Sequence, residues 1–134
     1  MTQADKDLLL KDLCARLPYG IKADKYTIRI DGEFVPLTNI EIVTAKDILA
    51  QNEYPGYTIK PYLFPLSSMT EEQKEELDNM FNQEDGICEK IKTNNFEFSF
   101  YHKSIFDFLN KHHLDWRGLI PMGLANDATN KNIY

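Results

Sequence analysis

The side chains best suited to chemistry lie close together late in the sequence. His112, His113, Asp115 and Arg117 fall within a few positions of one another, and His102 precedes them. Together they offer imidazole, carboxylate and guanidinium groups for acid–base work or for holding a metal. Their spacing argues against both. Adjacent helical residues diverge by about 100° around the axis, so His112 and His113 do not readily meet at one ion. His102 and His113 would share a face yet stand about 16 Å apart along a continuous helix. Metal-binding His pairs on a helix usually stand four residues apart. The pattern therefore predicts no catalytic residue, no metal and no cofactor. It predicts a cationic helix end, where a charged His is mildly favourable.

Asp115-Trp116-Arg117-Gly118-Leu119-Ile120 is the most distinctive string. Trp and Arg are frequent anchors at binding surfaces, which would make it a recognition loop. Trp also plugs cores, and the neighbouring Leu119 and Ile120 favour an anchoring role. An ion pair between Asp115 and Arg117 is expected to hold the loop. A second aromatic group, Tyr54, Tyr57 and Tyr62 with Lys60 and Phe64, has the composition of a stacking platform for bases or sugars. It lacks arginine, so an aromatic sheet face covered by helices is the commoner explanation. The candidate binding residues are thus Trp116, Arg117, His113, Asp115, Tyr57 and Tyr62.

Other reaction motifs are missing. No GxSxG, P-loop or GxGxxG string occurs, and Cys14 and Cys88 have no CxxC spacing. Both thiols are expected to be reduced and mostly buried. The net charge of −6 is concentrated: residues 71 to 89 carry eight acids against Lys74 alone. With no cluster of Lys and Arg, nucleic acid is disfavoured as a partner. No apolar run approaches the roughly 20 residues of a membrane span. The polar opening Met1-Thr2-Gln3-Ala4-Asp5-Lys6-Asp7 lacks the pattern of a signal peptide, so a cytoplasmic location is expected.

These groups must be positioned by a small set of elements. Leu9, Leu13 and Leu17 recur every four residues and predict a helix over 4–17, ended by Pro18. Tyr26, Ile28 and Ile30 alternate with polar residues up to Asp31-Gly32, and Phe34, Val35 and Leu37 follow. That predicts a hairpin with a two-residue loop, Ile28 facing Val35 and Tyr26 facing Leu37, with one face buried. Pro36 marks an edge or a bend. Ile40 and Ile42 suggest a third strand, and 45–52 a short helix. Tyr54-Pro55-Gly56-Tyr57 suits a type II turn, and 57–64 is extended. Thr70 with Gln73 has the capping-box pattern of a helix over 71–82, whose wet face carries most of the acids. Phe96, Phe98 and Phe100 alternate as in a strand. Ser104 suits the cap of a last helix ending near His112-His113. The tail is irregular, and from about 126 it is expected to fray.

The whole reads as one domain over 1–134 of α+β class: a small antiparallel sheet with about three helices packed on it. Three further strings, with the opening Leu9-Leu10-Lys11-Asp12-Leu13-Cys14-Ala15-Arg16-Leu17-Pro18-Tyr19-Gly20, carry a resemblance. They are Lys60-Pro61-Tyr62-Leu63, Pro65-Leu66-Ser67-Ser68-Met69-Thr70-Glu71-Glu72, and His112-His113-Leu114-Asp115-Trp116-Arg117-Gly118-Leu119-Ile120. The chain resembles a group of small uncharacterised proteins of gut bacteria and their phages. The resemblance implies a phage or prophage setting and carries over no catalytic residues. The expected function is a non-enzymatic accessory protein acting through contacts with another protein, with a homo-oligomer left open. The alternative is a small enzyme or ligand binder using His112, His113, Asp115 and Arg117.

Overall fold

The computed structural model describes residues 2–80 and 103–134. It is an α+β fold in which, among the described residues, four helices accompany a mixed sheet of five strands. Helix α1 (Gln3–Arg16) is followed by strands β1 (Lys22–Ile28) and β2 (Phe34–Ile42) and helix α2 (Ala45–Glu53). Then come β3 (Thr58–Pro65), α3 (Glu71–Met80), α4 (Lys103–Lys111), β4 (Leu114–Asp115) and β5 (Asn126–Asp127). Cys88, His102, the acids beyond 80 and the strand expected at Phe96–Phe100 lie outside the described residues.

Local rules set most helix starts. Thr2 with Asp5 and Thr44 with Asp47 form reciprocal capping boxes at α1 and α2. Thr70 and Gln73 do the same at α3: each backbone N–H donates to the other's side chain, at 3.0 and 3.1 Å. The Tyr54–Tyr57 turn has Gly56 at φ +88°, the conformation its third position requires.

The sheet order is β2-β1-β3-β4, antiparallel among β1, β2 and β3. Both β4 and β5 run parallel to β3, so the sheet is mixed rather than purely antiparallel. Alternation places Ala23, Ile59 and Leu63 on one side of the sheet, against Leu9 and Leu13 of α1 and Ile48 of α2. A second cluster joins Leu77 of α3 to Ile105, Phe108 and Leu109 of α4. On the opposite sheet face, Tyr62 packs with Ala128 and Ile133 of the tail. The segment from 126, expected to fray, lies against β3, where the Tyr134 hydroxyl donates to the Tyr62 carbonyl at 2.7 Å.

The hairpin departs from its expected register by one residue. Ile28 pairs with Phe34, not Val35, and Tyr26 with Pro36. The loop has three residues: the Arg29 N–H donates to the Glu33 carbonyl, enclosing Ile30, Asp31 and a positive-φ Gly32. The expected third strand is the continuation of β2 beyond a bulge. There Ile40 sits at φ +52°, an uncommon conformation for a β-branched residue. Its N–H is held by the buried Asp24 carboxylate at 2.9 Å. Cys14 is exposed, contrary to the buried thiol expected, because it faces away from the Leu9–Leu13 stripe.

A Cβ on Gly56 would lie 3.3 Å from the Ile28 Cβ and 3.4 Å from the Ile28 carbonyl oxygen. Gly56→Ala, strained at positive φ as well as crowded, is expected to lower unfolding stability by about 1–3 kcal/mol in urea denaturation.

Candidate functional site

Helix α1 carries the first unusual feature. Asp12 and Arg16 lie four apart on its inward side, and both side chains are 0% exposed. Arg16 donates from Nε to Asp12 Oδ2 at 2.8 Å and from Nη2 to the Leu114 carbonyl at 2.7 Å. Arg117 donates from Nε to the other Asp12 oxygen at 3.1 Å. The Arg117 guanidinium stacks over the Trp116 ring at 4.0 Å, and the Trp116 indole N–H donates to Asn110 Oδ1 at 2.9 Å. The expected Asp115–Arg117 pair is replaced. Asp115 instead accepts the backbone N–H groups of Leu119 and Ile120 at 2.8 and 2.9 Å, closing the turn around Gly118. The distinctive string thus fastens α1, α4 and the tail together.

The histidines do not converge. His113 follows α4 in the left-handed conformation, φ +58°, and is buried with its ring stacked 3.7 Å from Tyr134. Burial, with the nearby charges of Arg16, His112 and Lys22, holds its pKa down at about 4. It is therefore neutral at pH 7, not the cationic helix end expected. His112 turns toward α3, with Nδ1 3.4 Å from the Gln73 amide nitrogen and Nε2 3.9 Å from a Glu76 oxygen. Among the described residues, no three His, Cys, Asp or Glu side chains are placed to hold a metal ion. No described helix is long and apolar enough to cross a membrane.

The tyrosines are likewise divided. Tyr57 donates to Asp47 of α2 at 3.3 Å, and burial together with Asp47 pushes its pKa up to about 12. Tyr62 lies on the other side of the sheet, buried, with its hydroxyl donating to Asp24 at 2.7 Å. The two therefore do not share a stacking platform. Asp24 also accepts from the Tyr26 hydroxyl and the Asn126 amide, so one buried carboxylate joins β1, β2, β3 and β5.

The β1–β2 hairpin presents a group of apolar side chains to solvent. Ile28, Ile30, Phe34, Leu37, Ile40 and Ile42 are all exposed, Phe34 by 59% and Ile42 by 56%. Strand β2 is an edge: among the described residues, β1 is its only strand neighbour. The expectation of one buried face fails here because the helices cover β1 and β3 but not the end of the hairpin. The signal was present in the sequence. Phe34, Val35, Leu37, Ile40 and Ile42 are apolar at both parities, which a half-buried strand does not require. Helix α3 is different: Glu71, Glu72, Glu75 and Glu76 are exposed while Leu77 is buried, the ordinary pattern of a solvated helix.

Comparison of the chain with protein-family models, with curated proteins and with solved structures finds no match.

Three substitutions check these assignments. Asp12→Ala leaves two inward-facing guanidinium groups without their carboxylate and is expected to cost about 3–5 kcal/mol of unfolding free energy. Trp116→Phe, which keeps the ring stack and loses one hydrogen bond, is expected to cost about 1 kcal/mol. For His113, the folded pKa of about 4 lies below the unfolded value near 6.5, so the unfolded chain takes up the proton first as pH falls. Its effect on stability is therefore absent above pH 7 and grows as pH falls toward 4. His113→Asn, compatible with positive φ, should flatten that window. Relative to the variant, the wild type should lose up to about 3 kcal/mol between pH 7 and 4 in denaturant titrations.

Proposed function

We propose that this chain is a non-enzymatic accessory protein that acts through protein–protein contacts, with the β1–β2 hairpin as its contact surface. One observation carries the reading: edge strand β2, its turn and the end of β1 present six large apolar side chains to solvent. Exposed apolar patches of this kind mark interaction sites, and exposed sheet edges pair with extended segments of partners. Pro36 and the bulge at Ile40 interrupt the edge, so side-chain packing contributes more than a continuous ladder. The separation of His112, His113, Asp115 and Arg117, with Asp115 and Arg117 already hydrogen-bonded within the fold, supports this reading over a small enzyme centred on them. The resemblance to small proteins of gut bacteria and their phages supports a cytoplasmic, prophage-encoded role.

The test is capture from lysate of the host that encodes the protein, using wild type, Leu37→Glu/Ile42→Lys and Glu72→Lys/Glu75→Lys as baits. Surface changes away from packing should leave stability within about 0.5 kcal/mol. Wild type and the α3 variant are expected to retain the same partner, and the hairpin variant to lose it. Retention by all three baits, or loss confined to the α3 variant, would refute the assignment of the surface.

A further inference from the structure

A cavity of about 460 Å³ opens beside the middle of the sheet, within the size range of small-molecule sites. Four strand residues in its lining share one sheet face. Tyr26 is the cross-strand partner of Thr58, Lys60 follows two residues on, and Phe34 lies across from Ile28, two residues from Tyr26. The turn carrying Met122 and Leu124 supplies apolar groups to the lining. The Tyr26 and Phe34 rings meet edge to face at 6.2 Å and 83°, a mutually supported aromatic corner.

The polar groups of this lining are unequal. The Tyr26 hydroxyl is turned to Asp24. Asp5 already accepts the Thr2 N–H in its capping box, beside the positive end of α1. Lys60 is half-buried and, among the described residues, has no carboxylate within ion-pair distance. Its cross-strand neighbour Asp24 spends its oxygens on Ile40, Tyr26, Tyr62 and Asn126. With Asp5 engaged in the cap of α1, the Lys60 ammonium among aromatic and aliphatic groups and Thr58 favours a ligand with an apolar body and one negative charge.

We propose that this cavity binds a small aromatic carboxylate, its ring against Tyr26, Phe34 and Met122 and its carboxylate on the Lys60 ammonium. The site is separate from the hairpin contact, although Phe34 borders both. A charge-assisted hydrogen bond in a partly desolvated site outweighs a neutral one, so the acid should bind more tightly than its amide. The amine counterpart would set like charges together at Lys60.

The test titrates phenylacetate, phenylacetamide and phenethylamine into the isotope-labelled full chain, following backbone amide resonances by NMR. Phenylacetate is expected to shift Thr58, Lys60, Gly123 and Leu124 at millimolar concentrations, and to bind about tenfold more tightly than the amide. Lys60→Met should bring the acid down to the level of the amide. Met122→Trp, which fills the space, should weaken both. The proposal is overturned if phenylacetate leaves these resonances unmoved, or if the amide or amine binds as well as the acid. It is equally overturned if Lys60→Met binds phenylacetate like wild type. Should Lys60→Met not fold, the ranking of the three probes and the Met122→Trp result decide.

Discussion

The placement of residues 114–117 depends on a single buried carboxylate. Asp12 serves two guanidinium groups, Arg16 from its own helix and Arg117 from 105 residues away in sequence. Desolvation offsets much of the Coulomb attraction in such a site, so its main consequence is geometric. Placing residues 114–117 elsewhere would leave a buried guanidinium without its acceptor. That constraint puts β4 beside β3, with the Leu114 carbonyl on Arg16, and sets Trp116 over Arg117. Burial, with the Arg16 charge nearby, holds the adjacent His113 neutral, which suits a ring stacked on Tyr134.

The sequence reveals those parts of the fold whose causes lie within a few residues. Thr70 and Gln73 announce α3, Gly56 announces its turn, and the Leu9–Leu13 spacing announces the inward side of α1. The hairpin is legible as a hairpin, but its register is not. Asp31-Gly32 suits a two-residue loop, while Gly32 at positive φ serves equally well as the last residue of a three-residue loop. The bulge at Ile40 is invisible locally because its acceptor, Asp24, sits on another strand. The same holds for Arg117: Asp115 is the nearest carboxylate in sequence, yet it is needed by the N–H groups of Leu119 and Ile120. Residues that look reactive when read along the chain become supports once their distant partners are in place.

The sheet shows the same division between two carboxylates on neighbouring strands and elements. Asp24, on one face, collects donors from three strands and the tail. Asp47, on α2 over the other face, takes the Lys25 ammonium at 3.0 Å. Burial, offset by hydrogen bonds from Thr44 and Lys25 and by the Lys25 charge, leaves the Asp47 pKa below its ordinary value. Asp24 by contrast is held by neutral donors, namely two phenols, an amide and a backbone N–H. This leaves its cross-strand neighbour Lys60 without a direct ion pair, and Lys60 is the lining residue that gives the adjacent cavity a cationic side.

Apolar alternation in a strand ordinarily records a core, because a polar surface gains nothing from it. In β1 and β3 that holds: Ala23, Ile59 and Leu63 meet α1 and α2. In β2 the pattern continues although, among the described residues, no layer covers it, and apolar residues stand at both parities. Helix α3 meets solvent with carboxylates, whereas β2 meets it with phenylalanine, leucine and isoleucine. Packing within the described chain accounts for the first and not for the second. A sheet edge that needed only to remain solvated would carry charge along its length, as natural edges commonly do. Here the interruptions are a proline and a bulge, which limit open-ended pairing and leave the apolar side chains presented. That combination restricts how a second chain can meet the edge without removing the apolar surface that would draw it there.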